Sequence, residues 1–203
     1  MSKYTEPYQR AVREHGAGFK ATLWQTPERQ KLRWDVFMDM CADNIFGHHT
    51  VLDVGCGDGG LLTHLQEEIG NPYYVGIDAI PEQIEKAKAD HTCNHSNFIL
   101  GDFMDNPKLL SSIYTDWGMV SGTLNNYRQS DAMQLMTEVW MSCERGIVFN
   151  FLCESYDWEG TMTEGIYPHD PIAWIRWARS LCRRVEYRQD YLYGADGTIF
   201  MVK

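Results

Sequence analysis

Apolar residues fall into two rhythms along this chain. In the first fifty residues they recur at helical spacing. Residues 5 to about 16 read as a helix that ends at Gly16. After a glycine-containing turn, Thr26 and Pro27 read as the N-cap and first position of a second helix, where the missing proline N–H costs nothing. Leu32, Val36, Phe37 and Met40 then form its core stripe. Beyond residue 50 the rhythm shortens. VLDVG, YYVGID, NFILGD, DWGMVSG and GIVFNFL read as strands, with helices predicted between them over residues 60–69, 81–90, 107–113 and 131–143. Repeated strand–helix units predict a parallel sheet covered by helices on both faces, with right-handed crossovers. The end departs from that rhythm. A helix is predicted from Pro171, followed by strands in RVEYRQDYLY and GTIFMVK. Asp196-Gly197 between them is a hairpin signal and predicts antiparallel neighbours. The expected architecture is α/β, a three-layer sandwich. Its mostly parallel seven-stranded sheet would end in an antiparallel C-terminal hairpin, and two helices would precede the first strand.

Composition narrows the partners. A chain of 203 residues with 44% hydrophobic content can bury a full core and is expected to be a single domain over 1–203. The formal net charge of −10 argues against a nucleic-acid substrate, which calls for a basic face. The one arginine cluster, Arg176, Arg179, Arg183, Arg184 and Arg188, reads as solvated surface. Six cysteines without a C-x-x-C pair, several inside apolar runs, fit free thiols in a reducing compartment. His91-x-Cys93-x-His95 has no second ligand pair at a familiar spacing, so no metal is expected there. The N-terminus has no apolar signal region and no stretch is long enough to span a bilayer. We therefore expect a cytoplasmic protein, monomer or homodimer, with no membrane partner.

The chemistry-bearing stretch is VLDVGCGDGG, residues 51–60. Gly55, Gly57 and Gly60 fit a dinucleotide-binding turn, and Gly55, Gly57 and Gly59 fit a second pattern equally well. Asp78, 19 residues past Gly59 at a strand end, can accept ribose hydroxyls in either case. Three features separate the ligands. Asp53, beside the loop, is poor company for a pyrophosphate and suits an ammonium. Two helices stand before the glycine strand. The terminal hairpin is not a second mononucleotide half.

Together these residues resemble the class I S-adenosylmethionine-dependent methyltransferases. Leu52-Asp53-Val54-Gly55-Cys56-Gly57-Asp58-Gly59 is similar to that family's first motif, Gly76-Ile77-Asp78 to its second and Gly101-Asp102-Phe103 to its third. The resemblance implies that Asp53, Gly55, Cys56, Gly57 and Gly59 hold the methionyl part of S-adenosylmethionine. It implies Asp78 on the ribose, Ala79 and Ile80 against the adenine, Asp102 and Phe103 at its edge, and Ser121 and Gly122 beside the methyl donor. Residues 18–34 are similar to a lid segment, with Trp24 covering the site and Arg33 pairing with the cofactor carboxylate. On that basis residues 1–46 are a helical lid, 47–153 the cofactor-binding core, and 154–203 the substrate wall and hairpin.

A sulfonium donor carries the reactivity, so the protein chiefly aligns the acceptor and excludes water. A hydroxyl or ammonium acceptor also needs a base; His169 is the first candidate and His15 the second. Ser121 to Tyr127 lacks the Asn/Asp-Pro-Pro-aromatic signature of enzymes that methylate base amino groups. The aromatic, acidic segments around Tyr156, Trp158 and Tyr167, with Asn125, Tyr127 and Asn150, suit a small, partly apolar or cationic acceptor. The expected product is S-adenosylhomocysteine and an N- or O-methylated small molecule. An NAD-dependent reductase and a non-catalytic cofactor-binding module are the alternatives; protein or RNA methylation is less favoured.

Overall fold

The computed structural model describes residues 3–45, 47–106, 108–156 and 165–203. Two helices, α1 (Glu6–His15) and α2 (Pro27–Cys41), precede the sheet, joined through a 3-10 turn at Phe19–Thr22. Thr26 caps α2 as the sequence predicts: its hydroxyl accepts the Arg29 N–H at 3.3 Å. Strand and helix then alternate: β1 (Thr50–Val54), α3 (Gly60–Ile69), β2 (Tyr73–Asp78), α4 (Pro81–Asp90), β3 (Ser96–Leu100), α5 (Lys108–Ser111), β4 (Thr115–Val120), α6 (Gln129–Ser142), β5 (Cys143–Leu152) and α7 (Pro171–Leu181). β6 (Arg184–Arg188) and β7 (Asp196–Val202) complete one seven-stranded sheet of order β3-β2-β1-β4-β5-β7-β6.

Strands β1 to β5 are parallel, and β7 runs antiparallel between β5 and β6. Side-chain alternation sends the two faces of each strand to different cores. Leu52, Val54, Val120, Ile147, Phe149 and Ile199 pack with α5, α6 and α7. Val51, Met119, Val148 and Phe200 pack with α2, α3 and α4. This is the three-layer arrangement the pattern predicts. The order reverses at β1 and β4, so a cleft opens above the carboxyl ends of those strands.

Two local expectations are corrected. Asp196-Gly197 is not the hairpin turn. The chain leaves β6 at Arg188 and passes through a 3-10 turn at Leu192–Gly194. Asp196 and Gly197 already lie in β7, paired with Leu152 and Phe151. Asp196 is 1% exposed, and its buried carboxylate serves an ion pair rather than a turn. On α2, Leu32 is exposed and its neighbour Arg33 is buried. The ion pair turns Arg33 inward.

Candidate functional site

A cleft open to solvent lies between the strand ends and the N-terminal helices. Its floor is the loop from β1 to α3: Asp53, Gly55, Cys56, Gly57 and Asp58. Gly55 has φ of 84° and a side chain there would collide with the Thr123 hydroxyl, so the loop can run this close to β4 only without a Cβ. Thr123 in turn donates to the Val54 carbonyl at 2.9 Å and ties the ends of β4 and β1 together.

Among the described residues that line the cleft there are three carboxylates and no lysine, arginine or histidine. Asp53 is 3% exposed and accepts the Tyr74 hydroxyl at 2.5 Å. Burial raises its pKa to about 7, partly opposed by the Tyr74 bond. Asp78 accepts Gly57 N–H through Oδ2 and Ile80 N–H through Oδ1, both at 2.9 Å. Its carboxylate therefore fixes the glycine loop and the start of α4 at once. Burial raises its pKa, while these backbone bonds oppose the shift. Ala79 and Ile80 line the wall beyond it, and Phe103 lines the opposite side. The arrangement is hospitable to a cation and awkward for a pyrophosphate.

The N-terminal segment closes the top. Tyr4, Thr5, Tyr8, Ala21, Thr22, Trp24, Gln30 and Trp34 all face the cleft. Gln83 on α4 latches this segment. It accepts the Gly18 N–H at 2.8 Å and donates to the Gly18 carbonyl at 3.1 Å. Trp24 packs over Gly122, whose φ of 75° and missing side chain leave room for the indole. Ser121 and Gly122 line the cleft. Asn150 does not: fully buried, it accepts the Gly122 N–H at 2.8 Å and donates to the Ser121 hydroxyl at 3.2 Å. It positions the end of β4 instead of touching a ligand.

Several expected site residues lie elsewhere. Arg33 forms a bidentate pair with Asp196, both bonds 2.7 Å, and its guanidinium stacks 4.5 Å from the Trp24 ring centroid. Its Nη1 also donates to the Arg29 carbonyl at 2.8 Å, and it is not among the residues that line the cleft. His169 is fully buried. Trp174 donates its indole N–H to Nδ1 at 3.0 Å, so Nε2 carries the proton and donates to the Tyr127 carbonyl at 2.9 Å. With both nitrogens used and its pKa lowered by burial, it is a core residue and no base. His15 sits exposed at the end of α1, 3.9 Å from Glu14. Gly59 is the N-cap of α3 and is not among the lining residues. Asp102 caps its own loop through Met104 and Asp105 N–H and accepts the Tyr4 hydroxyl at 2.5 Å. It thereby holds the first residue of the N-terminal wall rather than lining the cleft. Asn125 spends its side-chain oxygen on Leu152 N–H. Tyr127 is a lining residue, whereas Tyr156 and Tyr167 are not. Trp158 lies outside the described residues.

Asn126 replaces Asn125 as the polar residue at the cleft, donating to the Tyr8 hydroxyl at 2.7 Å. The sequence signal for Tyr4 and Tyr8 was weak, because two aromatics at helical spacing read equally well as core. Burial pushes the Tyr8 pKa to about 12, and those of Tyr4 and Tyr127 well above the usual range. All three stay protonated near neutrality; Tyr4 donates to Asp102, and Tyr8 accepts from Asn126.

Residues 45–140 match a family model described as a methyltransferase domain. A search of curated proteins returns no match. Among solved structures, magnesium protoporphyrin IX methyltransferase from Synechocystis PCC 6803 with bound SAH is similar over 100% of this chain and 95% of its own. The identity is 15% and the TM-score 0.71. The DhpI–SAH complex is similar over 98% of this chain and 93% of its own, with 15% identity and a TM-score of 0.67. Small RNA methyltransferase HEN1 is similar over 85% of this chain but 25% of its own, with 16% identity and a TM-score of 0.66. At these identities the likeness to the solved structures is one of fold.

Proposed function

We propose, for a chain that carries a methyltransferase domain on the class I methyltransferase fold, that it moves a methyl group from S-adenosylmethionine to a small molecule. The observation that carries this reading is the charge of the cleft: three carboxylates and no basic side chain line it. A ligand with a sulfonium and an ammonium fits such walls, and the two phosphates of a dinucleotide do not. SAH in the two similar structures supports the same donor. When bound, the donor supplies an electrophilic methyl group.

The chain's own residues do the rest. Asp53 faces the ammonium, and Asp78 offers the ribose hydroxyls the outer lone pairs of its carboxylate. Ile80 and Phe103 sandwich the base. Arg33 being committed to Asp196, the neutral side-chain amide of Gln30 is what this part of the cleft offers the methionyl carboxylate. Trp24, Tyr4 and Tyr8 exclude water from the line of attack. Among the described residues no histidine lines the cleft and its tyrosines remain protonated, so its carboxylates are the bases it offers an acceptor.

The acceptor is a small molecule, because a cleft without basic residues in a chain of net charge −10 repels a phosphate backbone. The six cysteines are free, which agrees with a cytoplasmic site of action. Among the described residues no helix is long and apolar enough to cross a membrane. The protein is incubated with methyl-labelled S-adenosylmethionine and a fractionated cell extract. Label enters the small-molecule fraction; label confined to RNA or protein contradicts the acceptor class.

The raised pKa of Asp53 gives the binding a pH dependence. Between its ordinary value near 3.8 and about 7, Asp53 is protonated in the folded protein and ionised in the unfolded chain. Its contribution to folding stability therefore falls as pH rises through that window. Ammonium binding favours the ionised form, so SAH affinity rises as pH increases from about 5.5 to 7.5. Titrations across this range are expected to show that rise in the wild type and a flat profile in Asp53→Asn.

A further inference from the structure

Away from the cleft, α2 and α3 bring three ligating side chains together. His64 and Glu68 are one turn apart on α3, and Asp35 faces them from α2. One ligand atom of each lies within 4.8 Å of the other two. His64 Nε2 and Asp35 Oδ1 are already 3.4 Å apart. A tetrahedral centre with bonds of about 2.1 Å has edges of about 3.4 Å, so this pair stands at ligand spacing. Glu68 is exposed and free to rotate into the remaining gap.

His64 supplies the independent observation. It is 3% exposed, and its Nε2 makes no hydrogen bond although Asp35 Oδ1 lies 3.4 Å away. A buried ring nitrogen left without a partner is costly and calls for an explanation. Lys31 does not provide one. Its ammonium sits 2.6 Å from Asp35 Oδ1 on a half-exposed side chain, and bonds the carboxylate rather than the imidazole.

We propose that Asp35, His64 and Glu68 bind a divalent transition-metal ion, with further positions open to water. One imidazole and two carboxylates suit Zn²⁺, Co²⁺ or Mn²⁺, whereas magnesium prefers an all-oxygen set. The ion displaces Lys31 to solvent. It also ties the N-terminal helix α2 to the helix that springs from the glycine loop. Trp34, next to Asp35, lines the cleft and lies against the His64 ring, 5.7 Å between centroids. The site thus fixes one wall of the cleft from behind.

The full chain, treated with chelator and dialysed, is titrated with Co²⁺ by calorimetry and visible absorption. The proposal expects one saturable ion per chain, a weak visible band without thiolate charge transfer, and a melting temperature that climbs with Co²⁺ concentration. Glu68→Gln, an exposed change that leaves the core intact, is expected to weaken binding by about tenfold or more. His64→Gln weakens it similarly, and Lys31→Met tightens it by removing the competing charge. Absence of saturable binding overturns the proposal. So does a thiolate band, which places the ion at exposed Cys93, or unchanged affinity in Glu68→Gln and His64→Gln.

Discussion

Arg33→Ala is expected to melt about 10 °C below the wild-type protein, the largest stability loss among the substitutions considered for this molecule. Arg33 and Asp196 are 163 positions apart in sequence and nearly dry in the fold, at 6% and 1% exposure. Removing the guanidinium leaves a carboxylate buried inside β7 without its counter-ion. Such a break costs about 3–5 kcal/mol, and for a chain of this size each kcal/mol moves the melting point by about 2–4 °C. Asp196→Ala is expected to match it, since it strands the other partner. Arg33→Met with Asp196→Leu is expected to recover most of the loss, because two apolar residues carry no desolvation cost. Differential scanning calorimetry of the three variants checks this. If instead Arg33→Ala keeps its melting point and loses only cofactor affinity, then the guanidinium serves the ligand and the ion pair is incidental.

Asp78→Ala is expected to raise the Kd for SAH by about 100-fold or more. The carboxylate has two duties. It accepts the Gly57 and Ile80 N–H groups, which hold the loop and the start of α4 in place. In the proposed site it also presents its remaining lone pairs to the ribose. Hydrogen bonds to a charged group contribute about 1.5–3 kcal/mol each, and two lost bonds to ligand amount to about 3 kcal/mol or more. Asp78→Asn separates the duties: its side-chain oxygen can still take one backbone N–H, but the charge is gone. It is expected to retain more of the wild-type melting point than Asp78→Ala while binding SAH weakly. Isothermal titration of both variants, with their melting curves, distinguishes the two duties; wild-type affinity in Asp78→Ala contradicts the assigned site.

The sheet and the floor of the cleft were legible in the sequence for a physical reason. Buried parallel strands need continuous apolar runs, and a loop that passes close to a neighbouring strand needs glycine. Both demands are local, so VLDVGCGDGG and YYVGID carry them openly. The roof was not legible in the same way. Tyr4 and Tyr8 reach the cleft only because α1 folds back over the strand ends, and Tyr4 is held there by Asp102, 98 positions away. The ion pair of Arg33 is not legible in the sequence because its partner is remote. A guanidinium beside an aromatic looks ligand-binding until Asp196 is found on a different element. His169 looked catalytic as a lone histidine near an acidic aromatic segment. Its role was settled by Trp174 one turn on, whose indole N–H uses the ring nitrogen that a base needs free. Asp196-Gly197 has the chemistry of a turn, but the ion pair draws Asp196 into β7 and moves the turn upstream.

The proposed ligand of the cleft is an S-adenosyl nucleoside and not a dinucleotide. Calorimetric titration of the wild-type protein at pH 7.5 with SAH and, separately, with NADH distinguishes them. Saturable one-to-one binding of SAH and no measurable heat with NADH are expected. Saturable NADH binding with none for SAH would contradict the proposed ligand.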